Sequence, residues 1–334
     1  MARRTYNDMK KIYLILAIAG MIMTTGCSNE NNEPINATNE ANVTFTVNLD
    51  GIDSRAISDG TTADQLVFAV YDEQGNELTA LRQNNIQIEN RHATVTTHVA
   101  MGQKYSFAFW AQKSGNTFYN TTDLKDIVVN YEGFANDENR DAFTASWEIE
   151  KVTGPINETI TLYRPFAQVN YVCDITEWTN LLNSNYKLLG SELVVDAGAY
   201  THYNVLTSEA SQPTEAPVTL KFSNYWESHL INTFNFCGFV SSKPGDTYQD
   251  LFTTPDGDKF WLTMNYILAT PEVTNLGHTT MNIYCWGADG PTPVVVALDE
   301  VPIKRNHRTI VNVSELTKIV TAIVTIDPSF WGDL

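Results

Sequence analysis

The chain has 334 residues, with 21 Lys and Arg against 39 Asp and Glu and a formal charge of −18. Residues 1–27 hold four of the basic residues and one of the acidic ones, so 17 basic against 38 acidic residues remain beyond Cys27, a formal −21 on 307 residues. So acidic a body lacks the basic face that phosphate contacts need, which sets nucleic-acid binding aside. Its length accommodates two domains of about 150 residues, and 11% aromatic residues together with many Thr and Val favour β-structure.

The first element is a secretion signal. Arg3, Arg4, Lys10 and Lys11 precede the uncharged run 12–23, "IYLILAIAGMIM", which is too short to span a membrane comfortably. "TTGC" then ends at Cys27, and Met9 offers a more compact start leading to the same cysteine. Gly26-Cys27 at the end of an apolar run resembles the lipobox of bacterial lipoproteins, although Thr24 stands where Leu is usual. The resemblance implies a diacylglycerol-bearing Cys27; an ordinary cleaved signal that happens to contain a cysteine is the alternative. Residues 28–42 are polar and acidic, and are expected to form a disordered tether.

Folded structure is expected from residue 43. Val43, Phe45, Val47 and Leu49 alternate with polar residues, the period of a strand with one buried face. Behind this strand stands Arg55, the only basic residue between Asn29 and Asp64. "DQLVFAVYDEQGNEL" and "IQIENRHATVTTHVA" each read as a hairpin. In "GQKYSFAFWAQ", Tyr105, Phe107 and Phe109 face one side while Ala108 and Trp110 face the other, which predicts cover on both. "TITLYRPFAQVNYVCDI" breaks at Pro165 between two strand-like runs, and this predicts domains over 43–163 and 164–334. Beyond it come a short helical candidate at 176–184 and eight strand patterns, the last being "KIVTAIVTID". Short strands, regular turns and no βαβ rhythm predict an all-β protein of two antiparallel sandwiches.

Residues for chemistry are scattered. Beyond Cys27, the odd number Cys173, Cys237 and Cys285 cannot fully pair within one chain. His92, His98, His202, His229, His278 and His307 have no metal-ligand spacing. "DEQGNE" and "TPDGDKF" suit turns better than calcium loops. "NDENRDAF" reads as a solvated acidic loop rather than a pair of catalytic carboxylates, and "IKRNHR" as a charged exposed strand edge. No enzymatic activity, metal or cofactor is expected.

The lipobox, the early strand ending in "SRA", "LVFAVYDEQGNEL", "GQKYSFAFWAQ", "DENRDAFTASWEI", "LYRPFAQVN" and "VPIKRNHRTIVNVSELT" follow one another in an order that resembles the fimbrillin-type lipoproteins of Bacteroidetes. The resemblance implies two tandem transthyretin-like β-sandwiches and a subunit of a type V pilus at the outer membrane. It also implies cleavage by an arginine-specific protease between Arg55 and Ala56. The removable first strand would be the one carrying Val43, Phe45, Val47 and Leu49, and a strand from another subunit or another copy would fill the gap. A donor is available in Val320, Ala322, Val324 and Ile326. The competing reading is a surface glycan-binding lipoprotein of a polysaccharide uptake system, with Trp110, Trp226, Trp261 and Trp286 as sugar-stacking candidates.

Overall fold

A computed structural model describes residues 39–49, 60–135, 137–174, 176–177, 187–222, 259–287, 290–315 and 321–327. Cys27, Arg55, Ala56, Trp226, Cys237, Val320 and most of the 176–184 helical candidate lie outside these residues. Strand β1 (Glu40–Leu49) is followed by β2 (Gln65–Tyr71), β3 (Gln83–Gln87), β4 (His92–Ala100) and β5 (Tyr105–Gln112). The short β6 (Tyr119–Asn120) and β7 (Ile127–Val129) precede β8 (Phe143–Ile149) and β9 (Ile156–Leu162). Two sheets, ordered β4-β1-β9 and β3-β2-β5-β8, enclose a core built on Phe45, Phe68, Phe107 and Phe109.

The later strands are β10 (Phe166–Asp174), β11 (Lys187–Val195), β12 (Tyr200–Asn204), β13 (Glu209–Pro213), β14 (Val218–Phe222) and β15 (Lys259–Leu268). Then come β16 (Thr274–Leu276), β17 (Thr279–Gly287), β18 (Gly290–Leu298), β19 (Val301–Ile303), β20 (Arg308–Ser314) and β21 (Thr321–Asp327). Among the described residues, an eight-stranded sheet runs β21-β20-β10-β15-β12-β7-β6, with β13 beside β12, and a four-stranded sheet runs β14-β11-β17-β18. Residues of both sheets share a second core. The protein is thus all-β and built as sandwiches, as its strand patterns predict.

The two cores meet at one sheet. Leu66, Phe68 and Val70 of β2 point into the first core, and Val67, Ala69 and Tyr71 into the second. β5 does the same, with Phe107 and Phe109 on one side and Ala108 and Trp110 on the other. A strand covered on both faces needs a continuous apolar run rather than alternation, which is what "LVFAVY" and "FAFWA" supply. β6 and β7 precede residue 163 in sequence yet pair within the sheet of the later strands. The segment 119–129 therefore crosses the predicted division.

Several local expectations are corrected. The stretch after the Gly75-Asn76 turn is no second strand: Glu77 makes a single bridge to Tyr71, and a 3-10 turn over Thr79–Leu81 follows. β3 and β4 form no extended ladder either: Glu89 and His92 bridge across the tight turn at Asn90 and Arg91, φ 51° and 66°, but β3 then pairs with β2 and β4 with β1. β1 begins three residues before Val43, since Ala41 is buried and the Met101 amide donates to the Asn39 carbonyl at 2.8 Å. The pairing is not wholly antiparallel, because β1–β9 and β10–β20 are parallel pairs. Each joins strands far apart in sequence, and the intervening chain provides the return path that parallel pairing requires.

At the change of core, the Ala269 amide donates to the Pro165 carbonyl at 3.2 Å, and Arg164 and Phe166 are buried. A protease of broad specificity is therefore expected to cut the polar, acidic tether ahead of β1, and the sequence around Arg55, well before it cuts between 163 and 167. Mass spectrometry of a digestion time course checks this; early fragments ending at 163–167 would show that the connection opens locally.

Candidate functional site

The strongest candidate is the slot occupied by β1. This strand is the first of the described chain, yet it lies in the middle of its sheet. It runs antiparallel to β4 from Glu40 opposite Ala100 to Asn48 opposite His92, and parallel to β9 from Val43 opposite Ile156 to Leu49 opposite Leu162. Ala41, Val43, Phe45, Val47 and Leu49 point inward and are buried, whereas Asn42 and Thr46 are exposed. The period-two pattern from Val43 to Leu49 thus reports the buried face.

Phe45 is the centre of the slot. Its ring lies 5.0 Å from Phe107 and 5.1 Å from Phe109, both edge-on, 5.5 Å from Trp147 and 6.1 Å from Phe68, measured between centroids. Edge-on geometry at these separations adds quadrupolar attraction to the area buried. At its C-terminal end β1 is held by the Leu49 amide donating to the Arg91 carbonyl at 3.0 Å and by a 2.7 Å contact between Asn48 Oδ1 and His92 Nδ1. Without β1, the sheet would have a gap between β4 and β9, with backbone groups open on both sides and an apolar floor.

At the far end of the chain, β21 pairs antiparallel with β20, and among the described residues it forms the edge of the large sheet. Ala322 and Val324 pack partly against the second core, while Ile323 is 69% exposed. The partly covered face of β21 carries Ala322, Val324 and Ile326, while the other face carries Ile323 and Thr325. Asp327 stands opposite the buried Arg308 across the β20–β21 ladder. Burial pulls down the Arg308 guanidinium's affinity for its proton, and the Asp327 charge opposes that pull.

Two charged segments behave otherwise than their sequence suggests. "NDENRDAF" is no solvated loop: Asp137 accepts from the Asn139 amide at 2.9 Å, and both Arg140 and Asp141 are buried. Arg140 donates to the carbonyls of Phe134 (2.7 Å), Asn130 (2.9 Å) and Glu132, and its guanidinium lies 3.9 Å over the Phe118 ring. Asp141 accepts a two-pronged bond from Arg164, with Nε and Nη2 donating to Oδ1 and Oδ2 at 2.7 Å each. "IKRNHR" is not an exposed edge, because β20 lies between β10 and β21. Asn306 turns the chain at φ 56° with its amide on the Phe166 carbonyl, and Arg308 Nε donates to Gln168 Oε1 at 3.0 Å. A charge set directly among apolar residues, as in "LYRPF", is the signal that could have marked such buried pairs.

The remaining candidates are dispersed. Trp110 is fully buried, with Nε1 donating to Gln112 Oε1 at 2.9 Å, so it offers no face to a sugar. Cys173 is buried, and its thiol is pushed well up by burial. His278 Nδ1 lies 2.7 Å from Asp299 Oδ1, and that bond raises the imidazole's pKa. Asp72 of "DEQGNE" accepts from the Gln74 and Asn76 amides at 3.0 and 2.8 Å, as a turn residue does. Among the described residues no group of three or more His, Cys, Asp or Glu could hold a metal ion, and no helix is long and apolar enough to cross a membrane.

A family model described as a family of unknown function, DUF6562, matches residues 34–334. No curated protein matches the sequence. Similar solved structures include the tip fimbrial protein Mfa3 of Porphyromonas gingivalis with C-terminal truncation, at 12% identity over 86% of this chain and 99% of that one, with a TM-score of 0.48. A candidate cell adhesion protein of Bacteroides uniformis is similar at 10% identity over 87% and 100%, with a TM-score of 0.49. Candidate polysaccharide binding proteins of Bacteroides thetaiotaomicron are similar at 13% identity over 86% and 96%, with a TM-score of 0.44. Fimbrial and adhesion proteins of Bacteroidetes are thus among the structures this chain is similar to, the grouping that its sequence resembles. At these identities and scores, the functional reading rests on the chain's own geometry.

Proposed function

Because the chain belongs to the DUF6562 family, to which no activity is attached, its role is read from its own residues, and we propose that it is a fimbrial subunit of the cell surface. It is exported with a lipid on Cys27 and tethered to the outer membrane. Cleavage after Arg55 by an arginine-specific protease releases the segment carrying β1, and a strand from a neighbouring subunit takes its place. β21 is the strand this chain offers in turn to a further subunit. Its work is assembly and adhesion rather than catalysis.

One observation carries this reading: β1, the first strand among the described residues, is a middle strand. A removable strand needs a free path out, and among the described residues β1 is joined to the rest of the fold only through the chain that follows it. Its absence leaves a gap with two flanking strands to satisfy, which is a stronger acceptor than a single open edge. Arg55 supports the reading further, as the lone basic residue between Asn29 and Asp64. The exposed Ile323 on β21 fits a strand that finds its best cover elsewhere.

The test treats the purified secreted chain with an arginine-specific protease, followed by N-terminal sequencing and electron microscopy. A new N-terminus at Ala56 is expected, with filaments or ladders when partner subunits are present and neither after Arg55→Ala. Cys27→Ala is expected to abolish fatty-acid labelling in cells. Monomers that keep residues 40–55 after treatment, or equal label with and without Cys27, would contradict the proposal.

A further inference from the structure

The slot of β1 is more selective than an apolar groove, and this selectivity bears on which strand can replace it. Of its five inward positions, the first holds Ala41, the middle one Phe45, and the others Val43, Val47 and Leu49. Phe107, Phe109, Trp147 and Phe68 surround the middle position at 5.0 to 6.1 Å. A close-packed site of this kind fits one large flat side chain, and a smaller residue there leaves a cavity that its rigid ring walls cannot close.

The chain's own C-terminal run does not supply that side chain. With Val320, Ala322, Val324 and Ile326 inward, no ring is present, and the next position in phase is Pro328. The opposite phase puts Thr321, Thr325 and Asp327 inward. Centring the slot on Phe330 requires Pro328 inside a middle strand, where its missing N–H breaks the ladder. Centring it on Trp331 buries Asp327 and Asp333. These objections hold for either strand direction, because reversal leaves the same residues inward.

Resting on the strand-replacement reading above, we infer that the strand accepted in place of β1 comes from a different protein, not from the C-terminal run of a second copy of this chain. It carries an aromatic residue at the third of five alternating inward positions and a residue no larger than Val at the first. This subunit therefore joins a mixed assembly at its acceptor end and does not form a homopolymer through its own β21.

The experiment uses the full secreted chain with a specific protease site inserted between residues 50 and 59. After nicking, exchange of the bound first strand is followed with fluorescent peptides that share one charged solubilising tail. The probes are residues 40–49, the same peptide with Phe45→Ala, and residues 319–328. The residue 40–49 peptide is expected to enter; the Phe45→Ala peptide and the 319–328 peptide are each expected to bind about 100-fold more weakly or worse. Equal binding of the 40–49 peptide with and without Phe45→Ala, or tight binding of 319–328, would overturn the selectivity while leaving strand replacement in place. Failure of every peptide to exchange would overturn strand replacement itself, and the selectivity with it.

Discussion

Replacing Phe45 with alanine is expected to destabilise the full chain by about 3–5 kcal/mol, the range for truncating a buried aromatic residue to alanine. Its ring is fully buried and makes four aromatic contacts, so the loss combines the transfer term with a cavity between two sheets. Thr46→Ala, on the exposed face of the same strand, should change stability by no more than about 0.5 kcal/mol. Urea unfolding of both variants at unchanged slope measures the difference. A loss below about 1 kcal/mol for Phe45→Ala would mean that the cage closes on itself without the ring.

Removing one member of the Asp141–Arg164 pair should cost about as much. The pair is buried on both sides, and Asp141→Ala would leave a guanidinium against the Phe143 ring, 4.4 Å away, with its counter-charge gone. Breaking a buried pair on one side costs about 3–5 kcal/mol, whereas replacing both partners with apolar residues of similar size is often close to neutral. The expected result is therefore strong loss in Asp141→Leu and in Arg164→Met taken singly, with much of it recovered when the two are combined. Unfolding of the four proteins as a double-mutant cycle checks this. Additive losses would show that each residue acts through its own contacts and not through the pair. Because Arg308 also feels the charge of Arg164, the cycle is best read with Arg308 intact.

The fimbrial reading places these two effects in different roles. Phe45 belongs to a strand proposed to leave, so its contribution sets how tightly the gap is closed before processing. The Asp141–Arg164 pair belongs to the part proposed to remain. It ties the chain just ahead of β8 to the start of β10, where the first core gives way to the second.

The sequence by itself determined the class of fold and the position of most strands. Alternation at Val43, Phe45, Val47 and Leu49, and the unbroken apolar runs of β2 and β5, reflect whether one face or two are covered, and that is a local property of the chain. "KFWLTMNYIL" and "TTMNIYCWG" coincide with β15 and β17 for the same reason. Only the tertiary structure decided which strands pair. Nothing in residues 40–49 says that β1 lies between β4 and β9, since pairing depends on partners distant in the chain, Asn48 on His92 and Val43 on Ile156 among them. The same holds for β6 and β7, too short to carry a period, which join the sheet of the later strands. Charged segments were the least legible. Polar composition reads as solvent exposure, yet Arg140 is buried against the carbonyls of Asn130, Glu132 and Phe134, and Asp141, Arg164 and Arg308 are buried beside partners farther along the chain, so the desolvation of a charge is offset by the geometry of its neighbours rather than by its own residue type.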